Sequence, residues 1–162
     1  DYYQKYSSID FALFECDVDR HGLRWPLEAF FESVAQAYRE NSAVRDAMEG
    51  ERNLQGFLKA YLALASYYLV EPELEMNYGY CDFFLLPDKK RYPDVKHSYI
   101  LELKYATRTA TDAELEVQAL EGRNQLLQYS EDKIVRCLSE GTTLHRLLLQ
   151  FRGWDLVRCE EV

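Results

Sequence analysis

The chain has 162 residues, 48% hydrophobic and 14% aromatic, the profile of one folded domain rather than a disordered segment. No apolar run approaches the ~20 residues that span a bilayer, so no membrane role is expected. The formal charge of −9 argues against broad electrostatic attraction to nucleic acid. That excess is uneven: residues 1–81 hold 7 Lys/Arg against 14 Asp/Glu, and residues 82–162 hold 12 against 14.

Residues 1–23 read as an irregular lead-in, the end of an upstream region, and residues 24–162 as a single domain. Trp25-Pro26 starts a helix, because proline is tolerated in the first turn. Leu27, Phe30, Phe31, Val34 and Tyr38 follow at helical spacing, and Gly50 breaks the pattern. A second helix is expected from about Glu51 to Leu69, with Leu54, Phe57, Leu58 and Tyr61 on its buried side and Pro72 as its stop. Leu74–Met76 reads as a short strand, Cys81–Leu86 as a second and Ser98–Lys104 as a third. The charged stretch between the last two, with Lys89, Lys90, Arg91 and Lys96, is a hairpin-like loop expected to adjoin the site described below. Thr111-Asp112-Ala113-Glu114 is a capping box opening a long helix to Ser130. A second helical piece covers Asp132–Ser139, and Leu147–Phe151 and Leu156–Cys159 are the final strands. The order α-α-β-β-β-α-β-β predicts an α/β domain with a mixed central sheet flanked by helices.

The chemistry concentrates on the three middle strands. Side chains alternate along a strand, so Glu102 and Lys104 share a face inside an otherwise apolar run. Burying such ions is costly unless they pair or hold a metal. Asp82 heads the preceding strand, and an antiparallel pairing sets it level with Glu102 and Lys104. Taken alone, Glu102-x-Lys104 also reads as an ordinary strand ion pair, with Asp82 as a turn cap.

Asp82 followed by Glu102-Leu103-Lys104 resembles the PD-(D/E)xK nuclease signature, with Cys81 in place of its proline. Gln125-Leu126-Leu127-Gln128-Tyr129 resembles the Q-x-x-x-Y element of RecB-like members, and its Gln and Tyr are neighbours on one helix face. The chain is also similar to the nuclease-like domains that follow AAA-type ATPase domains in bacterial proteins, a context that suits a sequence opening at Asp1. The resemblance implies a restriction-endonuclease-like fold and hydrolysis of DNA phosphodiesters. It implies Mg²⁺ (or Mn²⁺) held by Asp82, Glu102, the Leu103 carbonyl and an upstream acid, Glu51, with Glu73 and Glu75 as rivals. Asp82, Glu102, Lys104, Gln125 and Tyr129 would be the catalytic set. The alternative is a catalytically silent module of the same fold that binds nucleic acid or docks the ATPase.

Other patterns point elsewhere. Asp17 to Glu28 matches several positions of an EF-hand loop, but His21 and Pro26 interrupt it and an acidic surface loop is expected. Tyr2, Tyr3, Tyr67, Tyr68, Tyr78 and Tyr80 have base-stacking chemistry, yet their spacing suits core and interface roles. Cys16, Cys81, Cys137 and Cys159 lie far apart without a C-x-x-C, as expected of reduced thiols in a cytoplasmic protein.

Overall fold

The run Ser98–Leu103 is buried at every position, the signature of a strand covered on both faces. It forms the middle of a five-stranded mixed sheet of order β1-β2-β3-β4-β5. The strands are β1 (Tyr68–Met76), β2 (Gly79–Pro87), β3 (His97–Ala106), β4 (Thr143–Arg152) and β5 (Asp155–Glu161). The computed structural model describes residues 68–76, 79–88 and 96–162, with positions 36, 54–56, 58, 59, 90, 91 and 93; for 68–76 and 79–81 only the backbone is described. The lead-in, the EF-hand-like segment and nearly all of the first helix lie outside these residues, although Gln36 is helical as expected.

β1 with β2, β2 with β3, and β4 with β5 pair antiparallel, whereas β3 and β4 run parallel. A parallel pair needs a long crossover. Here that crossover is α1 (Asp112–Ser130) followed by α2 (Lys133–Leu138). The expected capping box is formed: Thr111 Oγ1 accepts from Glu114 N–H, and Glu114 Oε2 accepts from Thr111 N–H at 2.7 Å. Asp132 caps α2 by accepting from Ile134 N–H at 2.8 Å. The α/β class with a mixed sheet and flanking helices agrees with the expectation from the sequence.

Two expectations are corrected. The second helix does not reach Leu69, since β1 already starts at Tyr68, although positions 54–56, 58 and 59 are helical. Pro72 is therefore no helix stop but sits inside β1, the edge strand, where a missing N–H need not break a ladder. The basic loop does not adjoin the site either. Lys90, Arg91 and Lys96 are exposed on the connection from Pro87 to His97, at the opposite end of the β2–β3 pair from Asp82. Lys96 lies six extended residue steps from Glu102, about 20 Å.

α1 lies across β3 and β4. Under it, Ala119, Leu126 and Tyr129 pack with Phe84, Ile100, Val135 and Leu148 in one apolar cluster. Side chains of this size contribute roughly 1.5–3 kcal/mol each when fully buried. A polar seam fixes the helix laterally. Gln150, wholly buried, donates to the Leu115 carbonyl at 2.8 Å and to Gln118 Oε1 at 2.9 Å. Gln118 donates onward to the Tyr105 carbonyl at 2.8 Å, and Arg158 donates to Gln150 Oε1 at 3.1 Å. Arg123 of α1 pairs with Glu160 of β5 at 2.5 Å, and this bond holds the Glu160 carboxyl below its usual range.

At the other end of the sheet, His97 Nδ1 lies 2.7 Å from His145 Nε2, and His145 Nδ1 lies 2.7 Å from Glu161 Oε1. His145 also stacks on Tyr99 with ring centres 5.0 Å apart. Burial, and then the neighbouring His145, hold the His97 pKa below 6.5. As pH falls the unfolded chain therefore takes up this proton first. That share of stability is complete above about 6.5 and is lost as pH drops through the lowered folded value. His97→Gln is expected to flatten the fall of the urea midpoint between about pH 7 and 5. A slope identical to that of the unsubstituted chain would remove His97 as its source.

Candidate active site

The β2–β3 ladder is short. It runs from Leu85↔Tyr99 to Phe83↔Leu101, while β3 continues beside β4 to Ala106. Carried one step further, the register sets Asp82 opposite Glu102. At this point the backbone bond of a normal ladder is replaced by a side-chain bond: Leu103 N–H donates to Asp82 Oδ2 at 2.7 Å. Asp82 Oδ1 accepts from Gln55 Nε2 at 3.0 Å. Within a strand, a residue's N–H and C=O point to the same side, so the Leu103 carbonyl faces the same gap.

Glu102 and Lys104 follow on the face toward α1. Glu102 is 4% exposed, and its Oε1 lies 3.3 Å from Lys104 Nζ. The Lys104 stem runs beneath α1 at Gly122, where an added Cβ would lie 3.4 Å from Lys104 Cε and 2.6 Å from Leu148 Cδ1. A helix interior with a side chain at this position could not sit so close to the strands.

The structure thus brings together Asp82, Glu102, Leu103 and Lys104. Tyr129 is placed in the apolar cluster, 4% exposed, against the β2–β3 face at Phe84 and Ile100. Gln125 is half-buried one turn earlier, and its buried Oε1 accepts no hydrogen bond among the described residues. Glu51 lies outside the described residues, and only the backbone of Glu73 and Glu75 is described; the β1–β2 register carries Glu73 opposite Asp82.

The donor set suits a hard divalent cation. Two carboxylates and a backbone carbonyl offer oxygen only, the ligand type Mg²⁺ prefers. Among the described residues no three His, Cys, Asp or Glu side chains cluster as a metal site. Asp82 and Glu102 are the two carboxylates of the site among the described residues, a number Mg²⁺ accepts when it keeps several waters. Cys137 and Cys159 are thiols rather than disulfide halves, and no helix among the described residues is long and apolar enough to cross a membrane.

Several contributors escape a reading of the sequence. Gln55 carries no pattern that links it to Asp82. Gly122 does leave a trace, because a glycine inside a strongly helical stretch costs about 1 kcal/mol and so implies a packing reason. Gln150 is likewise the lone polar residue in Leu147–Phe151.

A sequence profile of the PD-(D/E)XK nuclease superfamily matches residues 49–161. The chain belongs to this superfamily, and its mixed sheet with flanking helices is the restriction-endonuclease-like fold. A comparison with curated proteins gives no match, and one with solved structures gives none. Members of the superfamily are generally nucleases that use divalent metals, so membership points to a nuclease-type function.

Proposed function

We propose that this domain hydrolyses DNA phosphodiesters with Mg²⁺ or Mn²⁺. The observation that carries the reading is the gap between β2 and β3, where Asp82, Glu102 and the backbone of Leu103 converge next to Lys104. Asp82, Glu102 and the Leu103 carbonyl would hold the metal, with Glu51 as the further acid and Glu73 and Glu75 as rivals. A bound divalent ion would lower the pKa of a coordinated water and offset charge on the phosphate. Lys104 Nζ, already 3.3 Å from Glu102, would orient the attacking water or donate to the phosphate oxygens as charge builds there. Leu103 N–H keeps the Asp82 carboxylate turned into the gap.

Gln125 would contact substrate or the attacking water through its Oε1, which lacks a protein donor among the described residues. Tyr129 would act by packing: it fixes α1 over Phe84 and Ile100. Gln125→Leu removes a buried acceptor without a partner, so stability should be unchanged or slightly higher. Cleavage should fall about tenfold, the loss of one neutral hydrogen bond of ~1 kcal/mol or somewhat more. Wild-type cleavage by this variant would return Gln125 to a structural role.

The direct test is cleavage of labelled DNA by the purified chain with Mg²⁺ or Mn²⁺, set against chelator. Cleavage that persists in chelator would overturn the metal reading. A second reading, a silent module that binds nucleic acid or docks an ATPase, is favoured by burial: the Lys104 and Glu102 side chains are only 13% and 6% exposed. It predicts no metal-dependent cleavage at all. In either case we read the domain as a module of a larger, ATPase-linked protein.

A further inference from the structure

The loop leaving β3 and the turn joining β4 to β5 are fastened together. Gly153 N–H donates to the Ala106 carbonyl at 2.7 Å. Gly153 holds a φ of 61°, which glycine adopts without a steric penalty. A side chain there would overlap Arg108 Cγ, so the Arg108 stem lies directly across the turn. Its Cζ sits 3.9 Å from the centre of the Trp154 ring. Arg108 is exposed, and the plane of a guanidinium is a surface on which aromatic rings stack. The hydroxyls of Thr107 and Thr109, 3.2 Å apart, flank it on the same exposed loop.

This platform stands at the same end of the sheet as the active site. β3 and β4 run parallel with Lys104↔Gln150 and Ala106↔Arg152 in register, so both strands end here. Arg108 follows Lys104 by four residues, at most about 14 Å of extended chain. A nucleic-acid strand advances ~3.4 Å per nucleotide in a duplex, so a segment a few nucleotides long reaches from one to the other.

Resting on the reading that a strand reaches this site, we infer that Arg108 on Trp154 stacks an unpaired base of that strand, and that single-stranded or frayed DNA is the preferred substrate. A base inside a duplex has both faces covered by its neighbours, whereas an unpaired base stacks on guanidinium planes and aromatic rings. The chain's charge of −9 adds to the case. Backbone attraction, which dominates most nucleic-acid binding, is weak here, so contacts to the base must supply more of the hold.

The test measures binding of labelled oligonucleotides, single-stranded and as blunt duplex, by fluorescence anisotropy with Ca²⁺ as the only divalent ion. Arg108→Met keeps the stem that packs on the turn, and Arg108→Lys keeps the charge; thermal melts show that each is folded. The unsubstituted chain should bind the single strand more tightly than the duplex. Arg108→Met should weaken single-strand binding about tenfold and leave duplex binding within about twofold, with Arg108→Lys recovering little. Full recovery by lysine, equal losses on both forms, or wild-type affinity of Arg108→Met would each overturn the platform. Cleavage of the same oligonucleotides with Mg²⁺ separates the two readings. A chain that shows the stacking pattern and cuts nothing loses the nuclease reading alone. One that cuts while Arg108→Met binds normally loses the platform alone, and one that neither binds nor cuts loses both.

Discussion

Lys104→Met is expected to lose DNA cleavage by about 100- to 1,000-fold, the effect of removing one donor aimed at developing charge. Methionine preserves the stem that lies under Gly122, so α1 keeps its seat. Stability should nevertheless fall, because Glu102 at 4% exposure is left without the ammonium beside it. Breaking a buried pair from one side costs about 3 kcal/mol. Glu102→Gln should be inactive too, with a similar loss from the lysine side. The informative protein is the double variant, Glu102→Gln with Lys104→Met. Both charges are then gone, so stability should return to near the original value while cleavage stays lost. Catalysis and stability would thus separate within one pair of residues. Cleavage retained by Lys104→Met would end its assignment, and an unsubstituted chain as inactive as the variants would favour the silent module.

Gly122→Val is the second large effect. A single Cβ already comes within 2.6 Å of Leu148 Cδ1, and Leu148 is fully buried, so it cannot swing into solvent. Valine adds two methyl groups in the direction of β3 and β4. Overpacking of this kind costs about 3 kcal/mol, well beyond what valine gains over glycine in helix propensity. The helix must lift, and the Lys104 stem beneath it loses its lid. Urea unfolding should show the loss, and cleavage should drop under conditions where the chain is still folded. Gly56 is the control: it is exposed in a helical stretch with nothing within 4 Å of an added Cβ. Gly56→Ala should raise stability by about 0.5–1 kcal/mol. If Gly122→Val were as harmless, the close approach of α1 to Lys104 would not matter.

The middle of the fold is legible in the sequence because its signals are local. Thr111 to Glu114 announce α1, and the apolar run around Glu102 marks a buried strand with a charge in it. β1 is misread because Tyr68, Leu69 and Val70 prolong an apolar stretch, and Pro72 looks like a stop unless the strand is known to be an edge. β4 begins at Thr143, earlier than expected, because Thr143, His145 and Arg146 look like loop residues. They become a strand only by pairing with His97 to Ile100. At the site, acid-x-lysine spacing points to the right strands. The contacts that shape it, Gln55 to Asp82 and Gly122 over Lys104, come from segments far apart in the chain and leave little trace in either.

The short β2–β3 ladder has a consequence for association as well as chemistry. A strand that loses its partner in mid-sheet ordinarily exposes amides that another chain can pair with. Here the Asp82 carboxylate takes the Leu103 amide itself. At this amide the opening in the sheet offers another chain nothing to pair with, and the carboxylate that covers it is the one proposed to bind the metal.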